Sequence, residues 1–165
     1  NFKSISFRYF NAAGADESSK IGENHNPETH LIPKILNSIR NQNKTVHVYG
    51  RNYKTKDGTC IRDFIHVLDI ARAHISAIEY LEREEYNFMS LNIGTGKGTS
   101  VLDLVNTFCE VNNVLVPYEF CDRRNGDVPR LVADSSLANL TLGWIPKYEL
   151  HEMCSDGWRW QKNQA

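Results

Sequence analysis

The feature that most constrains this chain is a regular exchange between two periodicities. Stretches in which apolar residues recur at every second position alternate with stretches in which they recur every three to four. Residues 4–11 set Ile5, Phe7 and Tyr9 on one side and Ser6 and Arg8 on the other, which is the strand period. Residues 30–41 carry Leu31, Ile32, Ile35, Leu36 and Ile39 at helical spacing, with Pro33 suited to a first turn. Short strands are expected at 46–49, 60–66, 90–93 and 117–121. A helix is expected at 69–81, with an apolar stripe of Ile70, Ala71, His74, Ala77, Ile78 and Leu81. Another is expected at 100–111, with Ser100 as N-cap and Asp103 three residues on. Residues 135–140 read as a short helix and 149–161 as a final amphipathic, Trp-rich one. Interleaved strands and helices place the chain in the α/β or α+β class.

Composition excludes several function classes. With 41% hydrophobic residues in 165, one core is attainable. No apolar run approaches the ~20 residues of a membrane span, so no membrane partner is expected. A formal charge of −1 gives no overall basic field, so nucleic acid is not an expected partner either. Cys60, Cys109, Cys121 and Cys154 are scattered, with no CxxC pair and no His at finger spacing. They read as free, buried or half-buried thiols of a cytoplasmic protein, and no metal site is expected.

Three patterns carry potential chemistry. Gly94-Thr-Gly96-Lys-Gly98-Thr-Ser100 lies between a strand and a helix, but a GxGxxG fingerprint would need glycine at 99, which is Thr. It reads as a tight strand-to-helix turn. Arg62 and the Arg123-Arg124 pair suit a diphosphate, since guanidinium groups grip phosphate oxygens in a fork, and Asp127 suits sugar hydroxyls. The competing reading is of ordinary surface salt bridges, Arg62 with its neighbour Asp63 among them. No GxSxG elbow supports a hydrolase. His74 reads as a satisfied core residue, and the three tryptophans as packing anchors.

Read together, the motifs resemble those of the UDP-glucose 4-epimerases, which belong to the extended short-chain dehydrogenase/reductase family. They are Arg8-Tyr-Phe-Asn11-Ala-Ala-Gly14, Thr29-His-Leu-Ile-Pro33, Val48-Tyr-Gly50 and Asp57-Gly-Thr-Cys-Ile-Arg62-Asp-Phe-Ile-His66. Asn92-Ile-Gly94-Thr-Gly96, Arg123-Arg124-Asn-Gly126-Asp127 and Trp158-Arg-Trp160-Gln161 complete the set. The resemblance implies an α/β fold made of the last part of a Rossmann-type NAD-binding domain (residues 1–14) and the smaller substrate-binding domain (15–165). It implies interconversion of UDP-glucose and UDP-galactose through an NAD-bound 4-keto intermediate. The family's glycine fingerprint and its catalytic Tyr-x-x-x-Lys have no match here. The chain is therefore expected to be a C-terminal half, inactive alone and without catalytic residues of its own. A stand-alone nucleotide-sugar-binding module, or another NAD-dependent sugar-nucleotide epimerase or dehydratase, is the alternative.

By motif, Asn11, Leu31, Arg62 and Arg124 are expected to hold the diphosphate. His47, Val48 and Tyr49 are expected to cradle uracil, Asp127 to meet the ribose, and His30 to touch substrate. Tyr9 and Phe10 are expected beside the nicotinamide end of NAD. Leu131, where some members carry a bulky Tyr, implies room for N-acetylated UDP-hexosamines. A homodimer is implied for the full-length enzyme.

Overall fold

The computed structural model describes residues 2–41, 44–83 and 88–164. The outermost limits of the expected domains, residues 1 and 165, lie outside them. The chain runs β1 (Ser4–Tyr9), β2 (Asn11–Ala13), α1 (Leu31–Arg40), β3 (Val46–Tyr49), β4 (Ile61–Arg62), β5 (Phe64–His66) and α2 (Val67–Arg83). It continues with β6 (Phe88–Ile93), β7 (Thr99–Ser100), α3 (Val101–Asn112), β8 (Tyr118–Cys121), β9 (Arg130–Leu131), α4 (Ser136–Leu142) and α5 (Leu150–Asn163). The class is α/β.

The pairing is mostly parallel. β1 lies along β6, β2 along β5 and β3 along β8. Parallel neighbours need crossover connections, and the helices supply them. β4 sits between antiparallel β7 and parallel β9.

Two expected strands are each broken in two. Residues 4–11 split at Phe10, whose amide donates to Ile93 O at 3.1 Å, while the next amide, of Asn11, donates to Asp63 O at 2.9 Å. The chain thus changes partner from β6 to β5 within one residue. Residues 60–66 split at Asp63, whose side chain turns inward and is fully buried. Asn11 and Asp63 interrupt the apolar alternation at the two breaks, but one polar residue in a strand pattern does not by itself reveal a change of partner.

Two apolar clusters flank the strands. One gathers Ile32, Ile35 and Leu36 of α1, Leu104, Val105 and Phe108 of α3, and Met153 and Cys154 of α5 against Ala13, Val46 and Phe64. The other gathers Ala73 and Ala77 of α2, Ala138 and Leu142 of α4, and Trp144 against Ile65, Leu91 and Ile93. Consecutive residues Phe64 and Ile65 thus face opposite layers, as the strand period requires. Phe108 is fully buried, and truncating a side chain like it to Ala costs about 3–5 kcal/mol.

Helix α2 is rotated from its expected face. It buries Ala73 and Ala77, while Ala71, His74 and Ile78 of the expected stripe are exposed. Asp69 is buried in the first turn, and its carboxylate accepts the amides of Lys147 and Tyr148 at 3.0–3.1 Å. The Trp144 indole donates to Asp69 O at 3.0 Å. These bonds fix the helix about its axis and let small alanines approach the strands. His74 is therefore not a core residue; its Nε2 meets the Tyr9 hydroxyl at 2.8 Å.

The other expected helices stand within two residues of their expected ends. Ser100 Oγ accepts the Asp103 amide at 3.0 Å, the N-cap bond foreseen for α3. All four thiols are free, Cys60 and Cys154 buried and the other two half-buried. Trp144 and Trp160 are buried, and Trp158 packs edge-on against Phe108.

Candidate functional site

The strand ends and the start of α1 surround a cavity of about 820 Å³. Its walls come from the β1–β2 break, the loop entering α1, the ends of β3 and β4, and the loop before β9. Eleven of the twelve residues expected to bind ligand line it: Tyr9, Phe10, Asn11, His30, Leu31, His47, Tyr49, Arg62, Arg124, Asp127 and Leu131. They come from positions more than a hundred residues apart.

Val48 is the exception. It is fully buried and does not line the cavity. In a strand, three successive side chains cannot share one face. His47 is exposed and Tyr49 half-exposed, and Val48 points between them into the protein.

The electrostatics of the cavity oppose those of the chain. Among the described residues, Arg8, Lys34, Arg62 and Arg124 line it against the single carboxylate of Asp127. A chain with net charge −1 thus concentrates four cations on one concave wall, an arrangement that attracts and focuses anions.

The arginines are held in place. Arg62 Nη1 donates to the carbonyls of Ile61 and Val128, both at 2.9 Å, and its Nη2 reaches Asp127 Oδ1 at 3.2 Å. The Arg62–Asp63 pair of the competing reading is absent among the described residues. Asp63 is buried at the strand break itself, and Arg62 pairs with Asp127 instead. The Arg124 guanidinium carbon stands over the Tyr49 ring, 3.8 Å from its centroid. That cation–π contact orients the guanidinium while leaving its N–H edges for acceptors. Arg123 is committed elsewhere: its Nε donates to Asn52 Oδ1 at 2.8 Å and its guanidinium stacks on Tyr53.

The glycine-rich turn holds an internal anion. Asp63 Oδ1 accepts the Thr95 amide at 2.9 Å and its hydroxyl at 2.6 Å. Asp63 Oδ2 accepts the amides of Gly96 at 2.9 Å and Ala133 at 3.1 Å. A Cβ on Gly94 would stand 2.5 Å from Ala133 Cβ and 2.7 Å from Asp63 Oδ2, so this close approach requires glycine. The turn is structural, as its spacing suggested. Its amides are taken by a carboxylate of the same chain and do not fit the pyrophosphate of a dinucleotide.

Other motif residues serve the frame. Asp57 Oδ1 accepts the Thr59 amide and hydroxyl, both at 2.8 Å, and its other oxygen takes the Ser100 hydroxyl. Burial pushes this carboxyl up, but the hydrogen bonds from Ser100 and Thr59 outweigh it and leave its pKa lowered. The loop 50–60 is thereby tied to the start of α3, which sets Cys60 and Arg62 at the cavity. His66 is buried, 3.2 Å from Asp156 and stacked on Tyr148 at 4.3 Å. Burial lowers its pKa, and Asp156 only partly offsets this.

Sequence reasoning missed Arg8, Lys34, Thr29 and Asn92 on the cavity wall. Arg8 pairs in register with Asn92 across β1 and β6. Lys34 lies one helical turn from His30, with its amide bonded to His30 O at 3.1 Å. The available signal was the polar side of the opening strand and the i+4 spacing on α1.

The family described as GDP-mannose 4,6 dehydratase matches residues 1–157. A UDP-glucose 4-epimerase of Rhizobium leguminosarum bv. trifolii is 46% identical over 160 residues, 97% of this chain and 49% of that protein. The Stenotrophomonas maltophila UDP-glucose-4-epimerase, solved with NAD and formylated UDP-arabinopyranose, superposes with a TM-score of 0.93 at 41% identity. It covers 97% of this chain and 48% of its own. The UDP-Glc/GlcNAc 4-epimerase of Campylobacter jejuni gives a TM-score of 0.77 at 36% identity, over 98% of this chain and 49% of its own. The chain spans about half the length of the relatives it matches. A family match over nearly every residue, on a fold whose strand ends enclose a cationic cavity, shows that the chain belongs to the GDP-mannose 4,6 dehydratase family, with UDP-glucose 4-epimerases among its relatives.

Proposed function

We propose that this chain supplies the UDP-anchoring wall of a UDP-glucose 4-epimerase. The observation that carries the reading is the set of four cations facing one carboxylate in a cavity of about 820 Å³. Arg62 and Arg124 grip the diphosphate, with Asn11 and the Leu31 backbone beside them. Tyr49 and His47 flank the uracil, and Asp127, already oriented by Arg62, accepts the ribose hydroxyls. Such anchoring fixes one end of a UDP-sugar and leaves the hexose free to turn. That turning is what interconversion of UDP-glucose and UDP-galactose demands.

NAD, when bound, supplies the hydride acceptor for C4 of the sugar. The residues present fit only one end of it: Tyr9 and Phe10 offer aromatic surface on the cavity wall, whereas the glycine turn is already filled. The chain carries no Tyr-x-x-x-Lys, so the proton relay of the reaction lies outside it, and the chain alone binds without turnover. Free thiols throughout support the cytoplasm as its place.

Calorimetric titration of the chain with UDP tests the reading. Saturable 1:1 binding that weakens with rising salt is expected, together with zero conversion of UDP-galactose. Absence of UDP binding would overturn it. Leu131, half-exposed on the cavity wall, further supports tolerance of N-acetylated sugars. In the intact protein, Leu131→Tyr should depress turnover of UDP-N-acetylglucosamine at least tenfold more than that of UDP-glucose. Equal depression of both would remove the assignment.

A further inference from the structure

Four donor groups converge on the loop that enters α1. Glu23, His25, Glu28 and His30 each bring one ligand atom, and the four atoms lie within 4.8 Å of one another. His25 Nδ1 stands 3.2 Å from Glu23 Oε1 and 3.8 Å from Glu28 Oε1. His30 Nδ1 contacts that same Glu23 oxygen, and the two imidazoles meet edge to face at 5.0 Å. Zinc takes imidazole nitrogen and carboxylate oxygen at about 2.0–2.2 Å, so its tetrahedral donors lie about 3.4 Å apart. The two His25 distances bracket that edge.

We propose that Glu23, His25, Glu28 and His30 form a four-ligand site for one divalent cation of the zinc class at the rim of the cavity. Two carboxylates neutralise a dication. Two imidazoles favour zinc, cobalt or nickel over magnesium and calcium, which prefer all-oxygen sets. The loop also supplies outer support. Glu28 Oε1 accepts the amides of Thr29 at 2.6 Å and His30 at 2.7 Å, which orients the carboxylate as ligand-supporting bonds do. The four donors follow neither finger nor HExxH spacing, so no metal is expected from their pattern alone.

Such a cation would act on the cavity through His30, which both lines it and precedes Leu31 as the cap of α1. With Nδ1 bound to metal, the ring proton resides on Nε2, making His30 a fixed hydrogen-bond donor. This last consequence rests on the anion-binding reading above; the metal site itself does not.

The test strips the intact protein with chelator and titrates it with Zn²⁺ or Co²⁺ alone, without nucleotide. One saturable equivalent is expected, with the visible absorption of four-coordinate Co²⁺. His25→Ala and Glu23→Gln should each weaken Zn²⁺ binding at least about tenfold. Cys121→Ser should leave it unchanged, because a second donor group, His47, Glu119 and Cys121, offers only three ligands on an exposed ladder. No saturable binding, unaltered binding in the loop variants, or loss in Cys121→Ser would overturn the proposal. Histidine-ring NMR of the unsubstituted protein decides independently of how the variants fold. Two rings metallated at Nδ1 support the site; metallation at Nε2, the nitrogen that His47 turns toward Glu119, refutes it. UDP titration of the metal-free protein reports separately on the nucleotide reading.

Discussion

Two regions of this molecule carry the marks of an anion site, and they have opposite fates. The glycine turn after β6 points backbone amides at a common centre, but Asp63 already fills it from within. The rim built by Arg62, Arg124 and Asp127 is braced by an Arg62–Asp127 pair, two carbonyls and the Tyr49 ring, yet it faces a cavity. A ring of donors satisfied by its own chain becomes a structural joint. A ring held in position by stacking and carbonyl contacts retains the capacity to bind.

The comparison breaks first at Asp63. Asp63→Ala would strand three backbone amides and the Thr95 hydroxyl, and should cost about 3–5 kcal/mol by urea denaturation. A loss below about 1 kcal/mol would mean that the turn does not depend on its internal anion. Arg124→Ala is the converse experiment. It should weaken UDP binding about 10- to 100-fold, the range for a charge-assisted hydrogen bond, while leaving stability within about 0.5 kcal/mol. A large stability loss with unchanged affinity would place Arg124 with Asp63 among the joints.

A third test uses protons. His66 is held neutral by burial, so its pKa in the folded protein lies below the ordinary 6.5. The unfolded chain then binds the proton more readily, and stability falls as pH drops from about 6.5 through the folded value. Asp156, Asp69 and Glu152 act on His66 in the opposite sense and moderate the loss. Thermal unfolding between pH 7.5 and 5 should show the decline, and His66→Gln should flatten it. The smallest effect belongs to Lys97, in the midst of the glycine turn. It pairs with Glu149 at 2.6 Å, both side chains mostly exposed. Lys97→Ala should change UDP affinity less than twofold and stability by less than about 1 kcal/mol. A tenfold loss of affinity would make the turn a phosphate loop after all.

The same contrast explains what was legible in the sequence. Period and caps located the helices because those signals are local. The breaks at Phe10 and Asp63 were not legible: they record a change of hydrogen-bond partner supplied by strands tens of residues away. The rotation of α2 was hidden likewise, since Asp69 is fixed by amides from Lys147 and Tyr148. At the cavity, spacing alone left Arg62 and Arg124 undecided between ligand and surface pairing. The family motifs pointed to residues that line the cavity, together with Val48, which is buried and does not. The loop donors around His25 match no short metal motif, since the fold of the loop and not their spacing brings them together.

One feature of the core reaches beyond binding. Cys154, on α5 against α3, has its thiol pushed up to about 12 by burial. At neutral pH it is a protonated, shielded sulfur, so alkylation should be slow while the helices stay together. Its labelling rate therefore counts transient separations of α5 from its neighbours. The protein contains its own clock for breathing motions, readable by mass spectrometry without any inserted probe.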